Sequence, residues 1–417
     1  MSATSVVHRS LRKVQQRSSH AALSQDVSNG PAPSVQSRPG RLDAIIVPAS
    51  RPAYCLQPAI NLAAHLGVLL VVLCSRQTRA EQVAQRVSTS PGARALVIEI
   101  PENWEHSKFP TRTSSQAFRK ANGDRASDLS AKRNIGLLLA RLHGWNKIVF
   151  VDDDVMLSRT DNVARLAGQL DRYQVAGMIV CDYPDNSVVC HARRDAGLRQ
   201  DVFLTGAVLG VHCNNLPLSF FPDIYNEDWF FFAREAASRE LRKVGLAMQL
   251  EYDPFASPDR ARQEEFGDLL AEGLFALMGE VGPSVGFGGQ LRAANEAYWS
   301  RFIEARHEVI TKTMNLLRVT GDRLGDNGRL SSALISLAAA QDQLDHMITA
   351  EDCVSFVRAW QDDLEEWQRF SSAVNNVGST RDAMDFLQLR TWTSAEFGDA
   401  ASQSNGASGR IRSLAPY

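Results

Sequence analysis

Short apolar runs alternate with amphipathic stretches over the first two thirds of the chain. Those that are rich in β-branched residues fall at 43–47, 68–73, 94–100, 148–151 and 175–181. Between them, apolar residues recur at helical spacing, as they do in Ile135, Leu138, Leu139 and Leu142. Strands that alternate with helices are typical of βαβ units, which form parallel sheets. The pattern therefore predicts an α/β fold with a Rossmann-like, mixed but mainly parallel sheet and flanking helices.

The same pattern divides the chain into segments. Residues 42–278 carry the α/β pattern, whereas residues 291–392 keep helical spacing and predict a C-terminal region of three to five helices. Between these two, residues 279–290 contain five glycines and predict a linker or loop. Residues 1–41 are polar and residues 393–417 are rich in Ser and Gly. We expect a disordered N-terminal arm and a flexible tail.

Charge and cysteine content narrow the classes of partner and compartment. The chain has 45 basic and 47 acidic residues, and this balance gives no case for a nucleic-acid partner. The longest apolar stretch, residues 66–74, is far too short to span a bilayer. The N-terminal arm lacks the apolar core of a signal peptide. The six cysteines form no CxxC pair and no zinc spacing. We therefore expect a cytoplasmic protein without a transmembrane segment.

The most informative stretch is the apolar run 148–151, which leads directly into Asp152, Asp153 and Asp154. Acids at the carboxyl end of a buried strand lie where open α/β sheets bind ligands. Strand alternation would put Asp152 and Asp154 on one face and Asp153 on the other. Adjacent carboxylates repel one another, and a divalent cation with phosphate in its shell would relieve the repulsion. The pattern favours a metal–diphosphate site, with a solvated acidic turn as the alternative.

Two further polar segments fall at the same edge of the predicted sheet. The turn after the first strand contains Pro48, Ser50 and Arg51, and it is either a contact for a base or ribose or a simple Pro-rich loop. The helix before the acidic strand has Lys132, Arg133 and Asn134 in its first turns. Its amino end lies near the acids, because a βαβ helix runs antiparallel to its strands. A phosphate there would explain the basic residues at this end of the helix; a solvated basic pair is the alternative.

Taken in order, four motifs resemble those of the GT-A glycosyltransferases, in particular family-2-like members. They are Lys132-Arg133-Asn134-Ile135-Gly136, Asp152-Asp153-Asp154, Thr205-Gly206 and Glu227-Asp228-Trp229. The resemblance covers roughly residues 42–255. It implies a GT-A fold and the transfer of a sugar from a nucleotide-diphospho-sugar to an acceptor hydroxyl.

The resemblance implies a donor site built on the acidic triplet. Asp152 and Asp154 would hold a manganese or magnesium ion on the donor diphosphate, and Asp153 would reach the ribose. Lys132 or Arg133 would add to the stabilisation of the departing diphosphate. These roles come from the resemblance, and the residue pattern alone leaves them open.

The resemblance also implies an acceptor side. Gly206 would line the acceptor pocket. Asp228, beside Glu227, would be the general base of an inverting enzyme or an acceptor-binding group in a retaining one. By position alone, Glu227 and Asp228 are helix-capping residues. The sequence departs from the family at Cys74-Ser75, where many members have an aspartate that recognises the base or ribose, and it lacks their late metal-binding histidine.

Two other functions remain open from the sequence. Asp152-Asp153-Asp154-Val155 matches the nucleophile motif of haloacid-dehalogenase-type phosphatases, with Thr205 and Glu227-Asp228 as later motifs. That nucleophile usually lies on the first strand, whereas three strands are predicted before it here. The third possibility is a catalytically silent nucleotide-sugar-binding protein on the same fold.

Overall fold

The computed structural model describes residues 20–29 and 41–399, except 103, 158, 182, 185, 201, 215–216 and 321–326. The strands within these residues are β1 (Ser24–Asp26), β2 (Ala44–Ala49), β3 (Leu69–Cys74), β4 (Arg94–Glu99), β5 (Lys147–Val151), β6 (Val155–Met156), β7 (Val175–Val180), β8 (Val208–His212), β9 (Leu241–Gln249) and β10 (Trp392–Glu396). The α-helices are α1 (Gln57–Leu66), α2 (Ala80–Ser88), α3 (Leu129–His143), α4 (Asp161–Gln169), α5 (Val188–Asp195), α6 (Glu227–Phe231), α7 (Ala233–Ser238), α8 (Pro258–Val281), α9 (Gly286–Ala293), α10 (Glu296–Thr320), α11 (Asn327–Met347), α12 (Ala350–Ala373) and α13 (Thr380–Phe386). Short 3-10 helices occupy Ala21–Leu23, Ala53–Leu56, Gln116–Phe118 and Pro283–Val285.

One mixed sheet organises the described residues, in the order β1-β9-β7-β8-β5-β2-β3-β4-β10, with β6 paired to β9. Strands β4, β3, β2 and β5 run parallel to one another, and so do β7, β9 and β1. β8 runs antiparallel between β5 and β7, and β6 and β10 are also antiparallel to their partners. The predicted mixed, mainly parallel α/β sheet is confirmed. Because β8 is reversed, its amino end lies beside the carboxyl ends of β2 and β5, at the edge expected to bind ligands.

Both faces of the sheet are covered, so its central strands are apolar. β5 is buried along its whole length, as the uninterrupted run at 148–151 predicts. Ile46 and Phe150 face a core shared with α3, α8 and the C-terminal helices. Ile45 and Val149 face a second core, formed with α1, α2 and α4. The strand thus carries Asp152 to Asp154 on a rigid, fully packed support.

The two chain ends differ from the prediction of a disordered arm and a flexible tail. Residues 20–29, within the predicted arm 1–41, form a 3-10 helix and β1, which pairs with β9. Residues 392–396, at the start of the predicted tail 393–417, form β10 against β4. Main-chain pairing with an exposed sheet edge, together with burial of Leu23, stabilises these polar stretches. Residues 1–19, 30–40 and 400–417 of the two predicted segments lie outside the described residues.

The glycine-rich segment 279–290 is also not the linker or loop that its composition predicts. α8 continues to Val281, and residues 286–293 form α9. Gly282 and Gly286 adopt φ values of 78° and 70°, which glycine permits, and they mark the turn between the two helices. The region 291–392 contains α10 to α13, and their apolar residues belong to the same core as α8 and one face of the sheet. In the described residues, no helix has the length and apolar character needed to cross a membrane.

Candidate functional site

The ligand-binding edge of the sheet opens into a cavity of about 350 Å³. One part of its lining consists of the acidic triplet after β5, the turn after β2 and the start of α3. A second part consists of Thr205, residues 225–229 and residues of α8. Most of the residues proposed from the sequence therefore line one cavity. They are Pro48, Ser50, Arg51, Lys132, Arg133, Asp152, Asp153, Asp154, Glu227 and Asp228.

Asp153 holds the turn after β2 in place. Its Oδ2 accepts hydrogen bonds from the backbone N–H of Ser50 (2.7 Å) and Arg51 (2.9 Å), and its Oδ1 pairs with the Arg51 guanidinium. The same guanidinium reaches Asp154 Oδ2 at 2.7 Å, and Gln249 donates to that oxygen at 3.0 Å. Asp153 and Asp154 thus share one arginine. The predicted alternation, with Asp153 opposite the other two, is wrong because the strand ends at Val151 and the acids lie in a turn.

Asp152 belongs to a different ion pair. Arg133 Nη2 donates to both of its carboxylate oxygens, at 2.9 and 3.1 Å, and Nη1 of the same guanidinium pairs with Glu227. The side chain of Arg133 is only 3 % exposed. Burial alone would lower its pKa, but the carboxylates of Asp152 and Glu227 raise the pKa above its ordinary value. Burial raises the pKa of Asp152 to about 6, against the opposing effect of Arg133.

Gly206 makes this ion pair possible. A Cβ atom at this residue would lie 2.5 Å from Cζ and 2.6 Å from Nη2 of Arg133. A side chain here would therefore collide with the guanidinium. Gly206 is not among the residues that line the cavity, and its lack of a side chain leaves space for Arg133.

Lys132, the other basic residue at the start of α3, also has partners within the protein. Lys132 Nζ donates to the carbonyl of Ala49 (2.9 Å) and to Ser75 Oγ (2.6 Å), and it lies 3.2 Å from Asp128 Oδ2. Burial lowers the pKa of Lys132, although Asp128 opposes this effect. These contacts tie α3 to the ends of β2 and β3. The expectation of a solvated basic pair is wrong for both Lys132 and Arg133, because both side chains are buried.

Asn134 does not line the cavity. Its amide accepts from the backbone N–H of Phe221 (2.9 Å) and donates to the carbonyl of the same residue (2.8 Å). This double hydrogen bond fixes the segment that leads toward residues 225–229. Asn134 is therefore placed as a structural residue, whereas the sequence prediction makes it a ligand contact.

Asp228, in the second part of the lining, is almost fully buried. Its Oδ1 accepts from the backbone N–H of Trp229 (2.9 Å), and its Oδ2 accepts from the N–H of Gly206. Burial and the neighbouring Glu227 raise the pKa of Asp228 to about 7, although Arg133 opposes them. A carboxyl group with a pKa near neutrality can accept and return a proton at physiological pH.

Several cavity residues were not found from the sequence. They are Arg76, Arg125, Gln249, Tyr252, Arg260, Asp268 and Glu272. Two sequence signals were available for some of them. Arg125 lies in the long polar segment 101–127, and Asp268 and Glu272 lie four residues apart within the otherwise apolar stretch 266–278. Arg260 stacks on the Tyr252 ring, 4.4 Å from its centroid, so this end of the cavity combines charge with an aromatic surface.

The fit of a divalent metal ion depends on what else it binds. Among the described residues, no group of three or more His, Cys, Asp or Glu side chains is arranged to hold a metal ion. All three carboxylates of the triplet line the cavity, but each already contacts an arginine. Magnesium is often held by one or two protein carboxylates together with substrate phosphates. The residues therefore fit a magnesium-like ion that arrives with a diphosphate, and they do not form a site made of protein ligands alone.

Comparison with known proteins finds structural likenesses, whereas no protein-family model and no curated protein sequence matches the chain. A solved structure, the mannosyltransferase PcManGT from Pyrobaculum calidifontis in complex with GDP-Man and Mn2+, is 14 % identical. The match covers 81 % of this chain and 92 % of that chain, with a TM-score of 0.39. At this level of similarity, function has to be inferred from the site itself.

Proposed function

We propose that this protein is a GT-A-type glycosyltransferase that moves a sugar from a nucleotide-diphospho-sugar to an acceptor hydroxyl. One observation carries the proposal. A single cavity is lined both by an acidic triplet and by Asp228, a buried carboxyl group whose pKa is raised. Glycosyl transfer needs charge stabilisation for a leaving diphosphate and a proton acceptor for the attacking hydroxyl. The lining of this cavity includes residues suited to both requirements.

The donor would lie along the wall formed by the triplet and the turn after β2. Ser50 and Arg51 are anchored on Asp153, so this aspartate positions the turn instead of reaching a ribose. Asp152 and Asp154 would hold the divalent ion, which when bound supplies positive charge to the leaving diphosphate. Arg51 is a further source of positive charge on this wall, because its side chain is 44 % exposed.

The acceptor hydroxyl would approach the wall that contains Asp228. Two backbone N–H groups fix the carboxylate, and these bonds favour the ionised form that accepts a proton. Glu227, bound to Arg133, would keep this segment at a fixed distance from Asp152. General-base help of this kind typically contributes about 10²–10⁴-fold to a rate. If the reaction retains configuration, Asp228 instead binds the acceptor.

The phosphatase alternative has weaker support from the geometry. In that mechanism an aspartate of the triplet attacks phosphorus as a nucleophile. Both oxygens of Asp152 accept hydrogen bonds from the buried Arg133. A carboxylate held in this way is poorly disposed to attack. Glycosyl transfer asks the same residue only to bind the divalent ion, which an oxygen that accepts one hydrogen bond can still do.

A thermal-shift panel of nucleotide sugars, run with manganese and with a chelator, tests this function. We expect at least one nucleotide sugar to stabilise the protein in manganese and not in chelator. Asp154→Ala should abolish that shift, whereas Asp124→Ala, an exposed acid paired with Arg119, should leave it intact. Absence of any shift, or equal shifts with chelator, would count against the proposal. Hydrolysis of p-nitrophenyl phosphate without a nucleotide-sugar response would favour the phosphatase.

A further inference from the structure

Arg51 already provides a cation at the position where the proposed metal would bind. Its guanidinium contacts Asp153 Oδ1 and lies 2.7 Å from Asp154 Oδ2, while these two carboxylates are each 3 % exposed. Two buried acids beside each other would repel, and the shared arginine relieves that repulsion. Arg51 therefore already relieves the repulsion within the triplet, and the empty protein does not need a metal ion for this purpose.

The two arginines of the site differ in how easily they can leave it. Arg133 is 3 % exposed and held by Asp152 and Glu227, so its removal would leave buried charges unpaired. The Arg51 side chain is 44 % exposed. Its backbone, in contrast, is fixed, because its N–H donates to Asp153 and its carbonyl accepts from Thr78. The guanidinium can therefore move into the cavity while its backbone stays in place.

The charge of the cavity lining determines which ligand would displace the Arg51 guanidinium. The cavity lining has eight acidic and six basic side chains, so it keeps an excess of negative charge. Exchange of a single positive charge for a divalent ion reduces this excess, and the gain is larger if the released arginine finds a new anion. A diphosphate provides one, because guanidinium groups bind phosphate oxygens in a bidentate manner. The exchange is therefore most favourable when metal and diphosphate arrive together.

We propose that Arg51 is an internal counter-ion, which occupies Asp153 and Asp154 in the empty protein and transfers to the donor diphosphate when a metal ion binds. This inference rests on the proposed function, since it assumes the metal–diphosphate site. Its consequence is ordered binding, in which free metal ion binds weakly until a diphosphate is present. If Arg51 occupies the site about nine-tenths of the time, it weakens the binding of free metal about tenfold.

The test is a titration of manganese, followed by electron paramagnetic resonance, in the presence and absence of inorganic pyrophosphate. The proteins are the full chain and its variants Arg51→Gln, Arg51→Lys and Arg76→Gln. Arg76 is the matched control, because it lines the same cavity and donates to the carbonyl of Ala126 at 3.0 Å. We expect Arg51→Gln to bind manganese alone about tenfold more tightly than wild type. Pyrophosphate should strengthen manganese binding to wild type more than to this variant.

The outcomes separate the inference from the proposed function. Manganese binding by wild type with pyrophosphate, together with an unchanged or weaker affinity of Arg51→Gln for manganese alone, would overturn the inference only. An equal gain in Arg76→Gln would also overturn it, because the effect would then be general charge. Absence of manganese binding in every protein, even with pyrophosphate, would overturn both. If Arg51→Gln unfolds, Arg51→Lys keeps the test open, since lysine lacks the fork that contacts both acids and should show part of the gain.

Discussion

Substitution of Gly206 by Ala tests whether Arg133 is held as rigidly as its contacts indicate. The added Cβ would lie 2.5 Å from Cζ of the guanidinium, whereas ordinary contacts begin near 3.4 Å. The guanidinium would have to move by about 1 Å, the difference between those distances. It cannot do so freely, because it is buried between Asp152 and Glu227. The substitution therefore strains the link that Arg133 forms between Asp152 and Glu227.

Two effects of this change can be given magnitudes. Overpacking of a well-packed site costs about 1–3 kcal/mol of the free energy of unfolding, and the loss of a partner from a buried ion pair costs about 3–5 kcal/mol. Because the pair would be strained and not removed, we expect destabilisation of about 2–4 kcal/mol. A displacement of about 1 Å in a catalytic arrangement can lower the rate about 10²-fold. Urea unfolding measures the first effect, and the rate of nucleoside diphosphate release per folded molecule measures the second.

Gly210→Ala is the matched control on the neighbouring strand β8. Its Cβ would collide with the side chain of Leu166 and lie 3.1 Å from Cδ1 of Leu170, in an apolar region. We expect a stability loss of about 1–3 kcal/mol with an unchanged rate per folded molecule. Wild-type stability and rate in Gly206→Ala would refute the rigid placement of Arg133. A similar loss of rate in both variants would show that overpacking in this part of the sheet is sufficient.

Three other predictions concern separate parts of the chain. Asp228→Asn should lower turnover by about 10²–10⁴-fold while it preserves the thermal shift with donor. The wild-type rate should rise as the pH rises through about 7, because the base must be ionised, and the variant should lack this rise. Burial raises the pKa of Glu235 to about 7. As the pH rises from 4.5 to 7, the free energy of unfolding of the wild type should therefore fall by roughly 3 kcal/mol because of this group. Glu235→Gln should show a smaller fall when unfolding by denaturant is measured across this pH range. Asp363 accepts hydrogen bonds from the backbone N–H groups of Arg112 (3.2 Å) and Thr113 (2.8 Å), so Asp363→Ala should cost about 1–3 kcal/mol and speed amide exchange in residues 101–127.

Each of these has an outcome that contradicts it. Near-normal turnover of Asp228→Asn would exclude this residue as the base and point to a retaining mechanism. An identical pH slope in Glu235→Gln would mean that Glu235 does not keep its proton on folding. Unchanged exchange in residues 101–127 after Asp363→Ala would show that other contacts hold this segment.

The sheet was predictable because the local sequence pattern of most of its central strands is typical of buried strands. The runs at 68–73 and 148–151 are continuous and rich in β-branched residues, which is what a strand covered on both faces requires. β9 was missed, because Leu241–Gln249 contains Arg, Lys and a Gly among its apolar residues. β1 was missed for a related reason. Its three residues are all polar, and pairing with β9, more than 200 residues away in the chain, stabilises it.

The candidate site was predictable as a set of residues, but not as a set of contacts. Position at the sheet edge was enough to bring Asp152 and Asp228 to one cavity. The ion-pair partner of each charged side chain depends on the three-dimensional fold. Arg133 reaches Glu227 only because Gly206 leaves room for it, and Asp153 turns toward Arg51 because the strand has already ended. No local pattern encodes these pairings.

The most direct test of glycosyl transfer is to measure both products of one reaction by mass spectrometry. The protein is incubated with manganese, with the nucleotide sugar that gives the largest thermal shift, and with a panel of hydroxyl acceptors. Glycosyl transfer predicts nucleoside diphosphate and glycosylated acceptor in equal amounts, falling together in Asp228→Asn. Orthophosphate as the product, or donor binding with no glycosylated product from any acceptor, would contradict it.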